Sequence, residues 1–182
     1  MLARGFKAEA NRIVTEVRKE IGLSPFDALD PHKLALHLDI PIIGLSEFLN
    51  EAPAVHHLLY TESTVFSAIT VFSGSRRTIV HNDAHVLSRQ ASNLSHELSH
   101  GLLLHPPTPA LDNIGCRHWN QDIEDEATWL AGALLIPEAT ALAIAKGKWS
   151  VSSAALRFGV SCAMIRYRLN ATGAKKRIHR AS

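Results

Sequence analysis

Cysteine is nearly absent from this chain. The two in 182 residues, Cys116 and Cys162, lie far apart and lack the spacing of metal-binding pairs. That excludes a disulfide framework and fits a reducing compartment, with both thiols acting as small buried hydrophobes. No apolar run reaches 18 residues, so no helical membrane span is expected. Arg4, Lys7 and Glu9 interrupt the first ten residues, so they carry no apolar core of a secretory signal. A soluble, cytoplasmic protein is expected. Internal repeats and low-complexity stretches are also missing. Acidic residues stop at Glu138; every charge beyond it is basic, from Lys146 and Lys148 through Arg157, Arg166 and Arg168 to Lys175, Lys176, Arg177 and Arg180.

What is present is 46% apolar and 20% charged, enough to bury one sizeable core. Eleven histidines are many for this length. Ala10, Ile13, Val14, Val17 and Ile21 form one stripe of an amphipathic helix over residues 3–21, closed by Gly22. Asp30 and Pro31 form a cap and first-turn pair for a short helix, and Pro41 turns the chain into an extended segment over residues 40–45. From Val55 to Val80 the pattern reads as strands, HHLLY, VFSAITVF and RRTIV. The last two are joined by Ser73, Gly74 and Ser75 as a three-residue turn, which predicts a small antiparallel sheet. Leu87, Ala91, Leu94, Leu98 and Leu102 recur at helical spacing up to Pro106 and Pro107; a loop to Asn120 follows, then a helix through Ile123, Ala127, Leu130 and Leu134, stopped at Pro137.

The first of these two helices carries His96, Glu97, Leu98, Ser99 and His100, an HExxH pattern. Residues four apart share a helix face, so both imidazoles can address one ion while Glu97 reaches a water bound to it. Zinc suits such a site: it lowers the pKa of its water towards about 7, and Glu97 can take the proton as general base. A third ligand is needed. His105 follows His100 by five residues where the HExxHxxGxxH pattern requires six, and Leu103 stands where that pattern has its glycine. Glu124, Asp125 and Glu126 on the next helix each offer a carboxylate. Glu124 shares its side with the small Ala127 and Ala131, which favours it, with Glu126 as the alternative ligand. Tyr60, His105 and His118 are candidates for stabilising an oxyanion.

The stretch SHELSHGLLLH (95–105), followed by IEDEATWLAGALLIP (123–137), resembles the ImmA/IrrE group of bacterial and phage zinc peptidases, whose pattern is HELGH and then ExEANxFAxxLLxP. The resemblance implies an α+β, zincin-like fold with a helical scaffold and a small antiparallel sheet. It implies zinc held by His96, His100 and Glu124, and peptide-bond hydrolysis in a partner helix-turn-helix transcriptional repressor. Ser99, Thr128 and Trp129 depart from the pattern's Gly, Asn and Phe; none of these changes removes a ligand or the base.

Residues 1–150 are expected to form the peptidase domain, and 151–182 a basic helical extension packed on it. Within the extension, Ala155, Gly159 and Ile165 fit the small, turn and apolar positions of a helix-turn-helix, with Ser161 capping its second helix. Arg166 and Arg168 are its candidate nucleic-acid contacts. They support an alternative function, a regulatory protein that binds DNA or a repressor and keeps the metal site without peptidase activity.

Overall fold

The computed structural model describes residues 2–106 and 120–181. Its first helix, α1 (Phe6–Glu20), starts after Gly5 at φ 88 and buries Phe6, Ala10, Val14 and Val17, while Arg12 bridges Glu9 and Glu16 on the wet face. In α2 (Pro31–His37), Asp30 caps the His32 amide at 2.9 Å and Pro31 sits where its missing N–H costs nothing.

Three strands form a mixed sheet in the order β1 (Ile42–Gly44), β3 (Arg76–His81), β2 (Ala68–Ser73). The hairpin is antiparallel as expected, but β1 pairs parallel to β3, with Ile42 opposite Ile79. An alternating pattern identifies a strand and does not fix its partner, so the all-antiparallel expectation is corrected here. Ser73 pairs with Arg76, which leaves Gly74 and Ser75 as a two-residue turn with Gly74 at φ 61, one residue shorter than expected.

The segment HHLLY is also not a strand. Pro53 starts α3 (Pro53–His56), which runs on as a π-helical turn over His57–Thr61. Val55 and Leu59, four apart, bury together against Leu45 in a small second core. The buried Asn82 donates to the carbonyls of Leu58, Ser63 and Phe66 and so ties this segment to the end of β3.

The site-bearing helices follow, α4 (Leu87–Leu102) and α5 (Gln121–Leu135), then α6 (Glu138–Ala145), α7 (Val151–Phe158), α8 (Cys162–Ala171) and α9 (Ala174–Ala181). Gly159 ends α7 in the left-handed region at φ 65, and Ser161 caps α8 by accepting from the Met164 amide. Ala154, Phe158, Ile165, Leu169 and Ala174 join the same buried cluster as Phe6, Leu98 and Leu134. The architecture is α+β, helices packed on one small sheet. Among the described residues no single helix is long and apolar enough to cross a membrane.

Arg168 lies in this cluster. It is fully buried, donates from Nε to the Ile136 carbonyl at 3.0 Å and stacks on Trp129 at 4.7 Å. This corrects its expected role as a nucleic-acid contact: a guanidinium sealed between helices meets no phosphate. Arg166, two residues earlier, is exposed. The two residues point to different sides because consecutive even positions on a helix differ by about 200°.

Candidate metal centre

Helix α4 turns Leu94, Ser95, Leu98 and Ser99 inward, which leaves His96 and His100 on the neighbouring face towards α5. Ser99, where the resembled pattern has glycine, is buried and donates to the Ser95 carbonyl at 2.7 Å, so its hydroxyl is satisfied within its own helix. Asn120 caps α5 through the Asp122 and Ile123 amides, which places Glu124 in the first turn. Ala127 and Ala131, both buried, let α5 come close to α4.

Three electron-pair donors converge across this seam. His96 Nε2 lies 3.1 Å from Glu124 Oε2 and 3.1 Å from His100 Nε2, and His100 Nε2 lies 3.8 Å from Glu124 Oε1. Tetrahedral zinc with bonds of about 2.0–2.1 Å holds its donor atoms roughly 3.3 Å apart. Two imidazole nitrogens and a carboxylate at these separations fit a divalent cation, and this set of three can hold a metal ion. Burial, with the neighbouring His96 second, pushes His100 down to about 4. It is therefore neutral at physiological pH, the form in which an imidazole nitrogen can bind a metal.

Glu97 points across to the sheet, where Thr70 Oγ1 on β2 donates to its Oε2 at 2.6 Å. Thr128 Oγ1 stands 3.5 Å from His96 Nδ1, the ring nitrogen opposite the converging one. The expected alternative ligand Glu126 lies outside the converging set; its Oε2 is 3.4 Å from His105 Nε2. His105 is buried, with Nδ1 2.9 Å from His100 Nδ1, so neither of its nitrogens faces the converging donors. Burial lowers its pKa, and the hydrogen bond to Glu126 opposes that shift. Tyr60 is exposed, with its ring against His56 at 5.0 Å; His118 lies outside the described residues.

Neither the contact of Thr70 with Glu97 nor that of His105 with His100 is readable from the sequence. A threonine in a strand carries no signal of what its outward hydroxyl meets. The five-residue offset that excluded His105 as a ligand was the available clue, because it carries the residue past the end of α4. There Leu103 ends the helix and Leu104, at φ 53, turns the chain back. The His105 amide bonds the His100 carbonyl at 3.0 Å and the Leu104 amide the Gly101 carbonyl at 3.1 Å. This is a Schellman closure with leucine where glycine is usual.

No curated protein and no solved structure matches this chain significantly. The sequence model of the Peptidase M78 family, described as the IrrE N-terminal-like domain, matches residues 50–170. That span holds the HExxH helix, the helix of Glu124 and the α7–α8 pair, more than half of the chain. The chain belongs to the Peptidase M78 family, the IrrE N-terminal-like peptidases.

Proposed function

We propose that this protein is a cytoplasmic zinc peptidase that hydrolyses a peptide bond in a partner helix-turn-helix repressor. The observation that carries the reading is the convergence of His96, His100 and Glu124 one residue away from a carboxylate, Glu97, anchored by Thr70. A zinc ion held by this set supplies Lewis acidity, which makes water a nucleophile at neutral pH and polarises a carbonyl. Thr70 fixes the rotation of the Glu97 carboxylate. Glu97 accepts the proton of the attacking water and returns it to the departing amine. The choice of a repressor as substrate rests on family resemblance, and a repressor encoded beside the protein is the first to try.

Single-turnover cleavage of such a repressor tests this. Wild type cleaves it at one bond, and Glu97→Gln loses at least about 100-fold in rate while keeping its zinc. Equal cleavage by both proteins would remove Glu97 from its role. No cleavage by either would turn attention to the second reading, a regulatory protein that binds DNA or a repressor through α7 and α8. That reading draws on the Gly159 turn, the Ser161 cap and the exposed Arg166, and requires a salt-dependent DNA affinity that survives Glu97→Gln.

A further inference from the structure

A histidine that ligates a metal through one ring nitrogen orients itself through the other. For His100 the converging nitrogen is Nε2, so Nδ1 carries the proton and needs an acceptor. The atom it meets is His105 Nδ1, at 2.9 Å with the two ring planes 65° apart. His105 Nδ1 must then present its lone pair, which puts the proton of that ring on Nε2. Glu126 Oε2 stands 3.4 Å from Nε2 to accept it. Each proton position follows from the one before, and every contact in the chain is a donor facing an acceptor.

We infer that His105 and Glu126 are positioning residues for the metal centre, a His–carboxylate relay behind His100 that fixes its ring and strengthens Nε2 as a ligand. The backbone is arranged for this. Leu104 is held in a conformation unfavourable for leucine, and the turn it makes brings His105 back beside the helix that carries His100. Arg77, from β3, donates to the His105 carbonyl at 3.2 Å and clamps the returned segment against the sheet. The His105 side chain is 9% exposed and that of Glu126 24%, so the relay is partly shielded from water, where a charge two rings from the metal is still felt. The inference also gives Glu126 a place: Glu124 faces the converging nitrogen of His100, and Glu126 reaches its rear nitrogen through His105.

The inference rests on His100 being a ligand, and the test separates the two claims. Zinc affinity is measured by competition with a chromophoric chelator, on proteins whose metal-free fold is checked by circular dichroism and thermal unfolding. His100→Ala reports on the ligand set; affinity equal to wild type there would overturn the metal centre itself. With that control passed, Glu126→Gln is expected to weaken zinc binding about 10-fold and His105→Leu up to about 100-fold. Because His105→Leu alters a buried site, His105→Asn is included: its amide oxygen can replace Nδ1 as acceptor but cannot reach Glu126. It should bind zinc more tightly than His105→Leu, and adding Glu126→Gln to it should change nothing further. Zinc affinities within twofold of wild type for Glu126→Gln and His105→Asn, or a Glu126→Gln effect of undiminished size in the His105→Asn background, would overturn the relay while leaving the ligand set intact.

Discussion

The two ends of α5 are built from opposite charges for opposite purposes. At its N-terminal end Glu124 and Glu126 sit half-buried and face imidazoles, about a quarter of each side chain being open to solvent. At its C-terminal end two buried arginines close the helix from different directions. Arg18 of α1 donates to the Leu134 carbonyl at 2.7 Å, and Arg168 of α8 to the Ile136 carbonyl at 3.0 Å. Both arrangements follow the helix dipole, acids at the amino end and cations at the carboxyl end. They differ in access. Carboxylates that could serve a metal are kept within reach of water, whereas charge that only ends a helix is sealed, although burial holds Arg168 down to about 10 and its Nη1 and Nη2 find no hydrogen-bond partner among the described residues. One end of the helix is arranged for binding and the other for rigidity.

Breaking the half-buried acidic end should therefore remove the metal and spare the fold. Glu124→Gln is expected to weaken zinc binding by at least about 100-fold, about 3 kcal/mol, while the metal-free protein unfolds within roughly 0.5 kcal/mol of wild type. Breaking the sealed end should do the reverse. Arg168→Ala leaves a cavity under Trp129 and an orphaned carbonyl, and should cost about 3 kcal/mol in denaturant unfolding with zinc affinity per folded molecule unchanged. A loss of zinc affinity in Arg168→Ala as large as in Glu124→Gln would erase the contrast.

Acid separates the two ends without a mutation. His100, His105 and His81 all have their pKa lowered by burial, so the folded state binds fewer protons than the unfolded chain. The contribution of each is complete above the unfolded histidine value of about 6.5 and is lost as pH falls below it, for His100 towards about 4. Metal-free protein should lose up to roughly 3 kcal/mol over that window through His100 alone, read as a falling denaturant midpoint. Protein saturated with zinc should hold its midpoint to lower pH, because the bound metal competes with those protons. The smallest effect belongs to the turn behind the site. Leu104 is exposed and left-handed, so Leu104→Gly should raise stability by about 1 kcal/mol, measured by thermal unfolding, and leave zinc affinity as it was.

Much of this organisation was legible in the residues because it is local. Helical spacing, the caps at Asp30 and Ser161, and the HExxH face are written within a few positions of one another. What escaped depends on partners distant in the chain. The strand β1 could not announce that it would pair parallel with β3, since Ile42, Ile43 and Gly44 carry no pattern that tells a parallel from an antiparallel partner. HHLLY has strand-like composition, yet the proline before it and the spacing of Val55 and Leu59 decide for helix once Leu45 is there to pack against. Arg168 looked like surface because arginines usually are; Gly132 is what admits it, since a Cβ there would stand 2.9 Å from the Arg168 side chain. The site itself divides the same way. His96, Glu97 and His100 are one helical turn, whereas Thr70, Thr128, His105 and Glu126 reach the site only when β2, α5 and the end of α4 come together.

The central claim is a metal centre made by His96, His100 and Glu124, and metal analysis of the purified protein tests it most directly. Wild type should carry close to one zinc per chain, and the double change His96→Ala, His100→Ala should carry none while remaining folded. Zinc absent from wild type after exposure to it, or retained in the double variant, would contradict the account.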